Sequence, residues 1–430
     1  MNSEENILLA FYGDDLTGST DALEFICRAG ARAILFLDVP GEAQLRSFPG
    51  LQAYGIAGLT RSLPAGEMEK HLFPAFRFMQ SSGAKHVHYK VCSTFDSSPQ
   101  IGSIGKAIDC GATVFQNLLI PVIGGMPALG RYCVFGNLFA RMGTGGNGKI
   151  YRLDRHPSMS MHPVTPAHES DLRIHLGSQT DKKIGLVDIM DMKKDTRHWM
   201  DHLQNEEVVL VDALEEEQLS LTGQWLNTMA GEGRSLFSVG SSVIELALGK
   251  YWQQNGMLME RKNWQKMETA GPLLVISGSC SPVTAAQIEY ARSKGFEEVV
   301  MSLETDETAR EQCLKTTIEL LREQKNVIVH TGKKQSSSLS SEFVGNALGS
   351  IAVKVIENLG VKRVVIAGGD TSSYAARAMG IEALEMINPL VTGAPLCKAY
   401  SKNKAVNGIE VNLKGGQVGE ENYFQLLTGV

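Results

Sequence analysis

The run Val361-Lys-Arg-Val-Val-Ile-Ala-Gly-Gly-Asp-Thr-Ser-Ser-Tyr-Ala-Ala-Arg-Ala-Met-Gly380 constrains this chain more than any other stretch. Its β-branched residues 364–366 predict a buried strand, Gly368 and Gly369 end it, and Asp370, Thr371 and Ser372 open an Ala-rich helix. A strand, a glycine turn and a helix in that order require a sheet with helices packed on it. The same order makes a cradle for phosphate. Unpaired backbone N–H groups and the positive end of the helix dipole face whatever lies beyond the turn. Glycine at that point leaves no Cβ between backbone and ligand. An ordinary capped helix after a strand reads the same way, because Asp, Thr and Ser are common caps.

The alternation recurs along the chain. Strands are predicted over residues 7–12, 33–37, 51–59, 86–90, 184–186 and 208–211, with helices near 22–29, 66–82 and 217–229. A second series follows: strands over 273–276, 298–301 and 327–330, helices over 285–293, 308–324 and 341–359, then the cradle run. A length of 430 residues exceeds what one core usually holds. The expected fold is therefore two α/β domains with mostly parallel sheets, over residues 1–250 and 271–430. A polar linker is expected over 251–270, with the active site in the inter-domain cleft.

Charge and cysteine usage exclude several classes. The net charge is −6 and no basic block occurs, which argues against a nucleic-acid partner. The seven cysteines are odd in number and show no CxxC spacing, as expected of reduced thiols in a cytoplasmic protein without structural zinc. No apolar run reaches the length of a membrane span, and the acidic opening Met-Asn-Ser-Glu-Glu is not that of a signal peptide.

Four constellations can carry chemistry. Asp14-Asp-Leu-Thr-Gly18 ends the first strand, where open α/β sheets bind ligands, and adjacent carboxylates there call for a cation, a proton or a substrate hydroxyl. One of the two Asp residues could equally be a helix cap. Lys90-Val-Cys-Ser-Thr-Phe-Asp96 ends another strand. Lys90 offers a point charge for an anion, and Ser93 and Thr94 offer hydroxyls. Ser277-Gly-Ser-Cys-Ser-Pro-Val-Thr284 is a second cradle before a helix. In the tail, Gly393-Ala-Pro-Leu-Cys397 and Leu413-Lys-Gly-Gly-Gln-Val-Gly419 are glycine turns that suit either a nucleotide site or plain hairpins. By contrast, Gly143-Thr-Gly-Gly-Asn-Gly148-Lys149 lacks the hydroxyl residue of a P-loop. It also follows a helix-like stretch over 137–142 rather than a strand. His156, His162 and His168 read as loop histidines without a metal, and Cys280 has no neighbouring base that would make it a nucleophile.

Taken together, Asp14-Asp-Leu-Thr-Gly18 with Asp21, Lys90 with Ser93-Thr94, His162-Pro-Val-Thr-Pro166, Gly278-Ser-Cys-Ser-Pro282, Gly368-Gly-Asp-Thr-Ser372 and Leu413-Lys-Gly-Gly416 resemble the four-carbon acid sugar kinase family. The resemblance spans nearly the whole chain. It implies an N-terminal substrate domain, a C-terminal nucleotide domain, and ATP-dependent phosphorylation of a hydroxyl on a small sugar acid with Mg²⁺. It places Asp14 and Asp15 in the substrate cleft as candidate bases, and Arg61 and Lys90 as carboxylate anchors. Ser279, Gly368, Gly369, Asp370, Thr371 and Gly416 would hold ATP. Asp370 is also a candidate Mg²⁺ contact or helix cap. A homodimer is left open.

One departure bears on the substrate. Threonate and erythronate kinases of the family usually read Lys-x-Asp-Ser-Thr-x-Arg-Gly at the second constellation. Here Asp96 replaces the Arg, reversing a charge beside Ser93 and Thr94. That form resembles a branch associated with the branched sugar acid 3-oxo-isoapionate. A threonate or erythronate kinase and a non-catalytic nucleotide or sugar-acid sensor are the alternatives. A lyase or dehydrogenase is disfavoured, because no GxGxxG follows a strand.

Overall fold

The computed structural model describes residues 7–143, 148–162, 164–201, 203, 205–231, 233–302, 307–332 and 339–429. The chain forms two compact units, one reaching to residue 262 and the other holding residues 263–430 together with residues 35–37.

In the first unit the strands are β1 (Leu9–Gly13), β2 (Ala33–Phe36), β3 (Ala53–Ala57), β4 (His86–Lys90), β5 (Ile120–Ile123), β6 (Arg131–Val134), β7 (Asn137–Arg141), β8 (Ile150–Arg152), β9 (Ile184–Val187), β10 (Val208–Val211) and β11 (Leu236–Gly240). The helices are α1 (Leu16–Ala29), α2 (Glu42–Arg46), α3 (Ala65–Ser81), α4 (Ile104–Phe115), α5 (Leu172–Gly177), α6 (Gln218–Met229) and α7 (Val243–Gln254). Seven strands pair in parallel in the order β3-β1-β4-β11-β5-β10-β9. β1, β3, β4, β10 and β11 are buried at every position; β1, β3 and β10 accordingly read as continuous apolar runs rather than alternating ones, whereas β4 and β11 carry buried His86, His88, Lys90 and Ser238. Phe76 of α3 anchors the core beneath them, its ring centroid 5.2 Å from that of Phe237 and 6.2 Å from that of Tyr89.

Residues 137–142 are not helical. β6, β7 and β8 form a small antiparallel sheet, and β7 alternates buried and half-buried residues with the period of a strand. The glycine run between β7 and β8 thus joins two antiparallel strands, although its residues 144–147 lie outside the described set. α7 continues to Gln254, so residues 251–254 are helix.

The second unit contains strands β12 (Leu274–Ser277), β13 (Glu297–Val300), β14 (Val327–His330), β15 (Arg363–Ala367), β16 (Ile381–Val391), β17 (Ala394–Ser401) and β18 (Glu410–Lys414). Its helices are α8 (Pro282–Ser293), α9 (Glu307–Arg322), α10 (Ser341–Leu359), α11 (Gly369–Ala378) and α12 (Tyr423–Leu426). β13-β14-β12-β15-β18 run parallel, followed by antiparallel β17 and β16. Leu35 and Phe36, the end of β2, pair with β16 at Leu384 and Ala383. Gly393, at φ +83°, turns the β16–β17 hairpin, so that tail motif is a hairpin corner.

Arg363 fastens this unit. Fully buried in β15, it pairs with Glu410 of β18 at 2.6 Å and donates to the backbone carbonyls of Leu427 and Glu268 at 2.7 and 2.8 Å. One guanidinium therefore ties the entering segment, two strands and the C-terminal turn. Arg363→Met should lower unfolding free energy by about 3 kcal/mol, because it strands a carboxylate and two carbonyls at once. An unchanged urea midpoint for this unit would refute that role.

Candidate active site

In the first unit the sequence-singled residues meet at the carboxyl ends of β3, β1, β4 and β11, where a parallel sheet presents its loops. Asp14 and Asp15 follow β1 and both are buried. Arg61 lies in the turn after β3 and answers both. Its Nε and Nη2 donate to Asp14 Oδ2 and Oδ1 at 3.1 and 2.7 Å, and its Nη1 donates to Asp15 Oδ2 at 2.8 Å. The backbone fixes this approach. Arg61 N donates to Asp14 O at 3.0 Å, and Asp14 N donates to Lys90 O at 2.9 Å.

The two carboxylates differ. Asp15 caps α1, accepting from Gly18 N at 2.7 Å and Thr17 Oγ1 at 2.8 Å in addition to Arg61. Burial works to raise its pKa, but the charges of Arg61 and Lys90 and these hydrogen bonds outweigh it and hold Asp15 below the ordinary range. Among the described residues, Asp14 has only Arg61 on its side-chain oxygens. Burial, helped by the neighbouring charge of Asp15, lifts it above that range despite Arg61.

Lys90, the last residue of β4, is buried with its Nζ 3.6 Å from Asp21 Oδ2, which also accepts from Ser242 Oγ at 2.5 Å. Burial raises the Asp21 pKa against the pull of Lys90. The ammonium sits against the first turn of α1. A Cβ on Gly18 would fall 2.7 Å from Lys90 Nζ and 2.5 Å from Asp15 Oδ1. Behind Asp21, His88 Nδ1 and Glu245 Oε1 lie 2.7 Å apart, both side chains without solvent exposure. Ser242, Glu245 and His88 went unremarked in the sequence. Their only signal was polar residues inside otherwise apolar segments.

The Lys90–Asp96 loop folds on itself. Thr94 Oγ1 donates to Asp96 Oδ1 at 2.8 Å and lies 3.0 Å from Cys92 Sγ. The Cys92 thiol is pushed up to about 11 by burial and by the Asp96 charge, with Arg61 opposing. Cys92 therefore feels both the charged cluster and Asp96. Ser93 is half-buried in the same turn.

In the second unit the turns after β12, β15 and β18, three neighbouring parallel strands, converge. A Cβ on Gly368 would lie 3.3 Å from Ser279 N, and one on Gly416 would lie 3.4 Å from Ser279 Oγ. α11 begins behind Gly368, whose φ of +130° is open only to glycine and which supplies no side-chain cap. Asp370 is thus in the first helical turn and is not the cap. Thr371 is buried against Gly278, while the Cα of Gly369 faces open space. Thr284 Oγ1 accepts from Ser279 Oγ at 3.1 Å and donates to Gly416 O at 3.0 Å. Thr284 and its neighbour Lys414 complete this cluster; both stand inside runs singled out in the sequence, although neither carries an individual role there.

Two further features bear on partners. Among the described residues no three His, Cys, Asp or Glu side chains gather as a metal site. His156 and His162 each accept backbone N–H groups of their own loops, from Ser158 at 3.2 Å and Thr165 at 3.0 Å. No described helix is long and apolar enough to cross a membrane.

A sugar-binding N-terminal domain family matches residues 9–248, and a nucleotide-binding C-terminal domain family matches residues 274–424. The chain is 38% identical to a 3-oxo-isoapionate kinase of Paraburkholderia graminis, covering 98% of this chain and 94% of that protein. It is 26% identical to a 3-oxo-tetronate kinase of Salmonella typhimurium, covering 96% of each. The Haemophilus influenzae protein HI1011 shares the fold at a TM-score of 0.72 and 23% identity, over 98% of this chain and 99% of that one. With both domain families matched in order and a full-length relative at this identity, the chain belongs to the four-carbon acid sugar kinase family.

Proposed function

We propose that this protein is an ATP-dependent kinase that phosphorylates a hydroxyl of a branched 3-oxo sugar acid of the 3-oxo-isoapionate type. The observation that carries the reading is the contrast between the two strand-end sites. One gathers buried acids under Arg61 and Lys90, as an acidic polyol needs. The other gathers glycines, hydroxyls and an uncapped helix start, as a polyphosphate needs. The 38%-identical relative carries the name of that substrate, and Asp96 supports it. Held by Thr94, Asp96 is an acceptor suited to an extra hydroxymethyl group, where an Arg would grip a compact tetronate.

The open face at Gly369 and the convergence of Gly368, Ser279 and Gly416 fit an ATP polyphosphate, with Thr371 and Asp370 beside it in the first turn of α11. Asp370 is the one carboxylate among these residues, so Mg²⁺ would enter chiefly on the phosphate oxygens and neutralise charge there.

In the first unit, Arg61 and Lys90 bind the substrate carboxylate. Arg61 still has N–H groups free of Asp14 and Asp15, because three of its five donors are used. As a substrate anion draws on Arg61, the charge that lowers the Asp14 pKa is shared and Asp14 becomes a better proton acceptor. Asp14 then takes the hydroxyl proton while the hydroxyl oxygen bonds to the γ-phosphorus and the bond to ADP breaks. Asp15, saturated by the helix cap, holds Arg61 and the α1 start in place.

Asp14→Asn should lower kcat by about 10²–10⁴-fold with ATP affinity intact, and Asp15→Asn should cost less. If Asp14→Asn turns over normally, another group is the base. Because the base works deprotonated and Asp14 is raised, wild-type kcat/KM should fall with acid above the ordinary Asp range.

Gly18→Ala, which pushes a methyl into Lys90 and Asp15, should raise KM for the sugar acid and leave KM for ATP alone. An unchanged sugar-acid KM would mean Lys90 is not an anchor.

The reaction itself is tested by ADP release with Mg·ATP against 3-oxo-isoapionate, 3-oxo-tetronates, and D- and L-threonate and erythronate. Turnover confined to the tetronates would move the substrate assignment to them. ATP binding with no turnover on the whole panel would favour a sensor.

A further inference from the structure

Lys414 closes β18 after the apolar Val411 and Leu413, and its side chain is wholly buried. Its Nζ donates to Thr284 Oγ1 at 3.0 Å, to Gly415 O at 3.0 Å and to Gly416 O at 3.4 Å, and it stands 5.6 Å from the centre of the Tyr423 ring. All three acceptors are neutral, and no carboxylate among the described residues pairs with it. Burial pushes its pKa down to about 7. Taking an ammonium out of water without a counter-charge is costly, and a fold usually supplies a carboxylate. A loop-fastening role alone would not require a charge, since a neutral side chain could fill the same space.

We propose that Lys414 is a positioning residue for the nucleotide phosphates: its ammonium locks the Gly415–Gly416 turn to Thr284 and lends the cradle a positive charge that only an arriving polyanion balances. The inference rests on the ATP reading of this unit. It explains why Thr284 is the shared node, accepting from Lys414 and from Ser279 while donating to Gly416. It also explains why the turns at Ser279, Gly368 and Gly416 carry hydroxyls and glycines while the Lys414 ammonium lies beneath them.

The test is calorimetric titration of the full chain with Mg·ATP and, separately, with 3-oxo-isoapionate. Lys414→Met should weaken Mg·ATP binding by about tenfold or more, with 3-oxo-isoapionate affinity within about twofold of wild type. Equal ATP affinity in a folded Lys414→Met, or equal loss for both ligands, would overturn the assignment. Should that variant not fold, Thr284→Val decides. Weakened ATP binding that returns in Thr284→Ser supports the inference, and unchanged binding overturns it. Wild-type protein that binds no ATP would remove the nucleotide reading and this inference with it.

Discussion

Arg61 lying across Asp14 and Asp15 is the interaction on which the candidate active site depends. Two adjacent carboxylates buried at the end of β1 repel each other and lose their hydration, so neither could stay there ionised without a cation. Arg61 supplies that cation in a planar, forked form that reaches both at once. The demand propagates outward. The turn after β3 is pinned to Asp14 by its backbone, β4 is pinned by the Asp14–Lys90 backbone bond, and Lys90 must in turn find Asp21. Packing at these strand ends is set by charge, and the apolar core beneath supplies only the platform.

The charge balance at these strand ends is incomplete. Three buried Asp side chains face Arg61 and Lys90, and burial lifts Asp14 and Asp21 toward holding a proton. A site that already strains to ionise its acids is poised to accept a proton once its cations are drawn to a substrate anion. The second unit inverts the logic. Its cradle turns carry hydroxyls and glycines, and the buried ammonium of Lys414 beneath them pairs with no carboxylate among the described residues, unlike buried Arg363, which has Glu410. Buried acids thus crowd the strand ends of one unit, while an unpaired buried ammonium underlies the turns of the other.

Much of the scaffold was legible. Parallel strands such as β10 and β12 read clearly because burial on both faces makes them nearly continuous apolar runs, and α10 matched its amphipathic pattern over Ser341–Leu359. The small sheet around Asn137–Arg141 did not, because a five-residue strand with alternating burial carries little more signal than a helical turn. The Gly393 turn reads equally as a plain hairpin or a nucleotide turn, and the length of the β16–β17 hairpin is illegible for a related reason. Its bulges break the two-residue period, and its corner at Gly393 imitates a ligand turn. Composition makes Asp370 a cap candidate, but the positive φ of Gly368 puts the cap two residues earlier.

The sequence by itself determined which turns follow strands, and therefore that Asp14, Asp15, Lys90, Ser279, Gly368 and Gly416 stand where a parallel sheet receives ligands. Local order suffices for that, since strand, turn and helix are written in consecutive residues. Only the tertiary structure decided which groups meet. Arg61 reaches Asp14 across 47 residues, Lys414 reaches Thr284 across 130, and Ser242 reaches Asp21 across 221. No periodicity encodes such pairs. They form because burying a charge is tolerable only where the fold delivers a partner, and that delivery depends on the strand order.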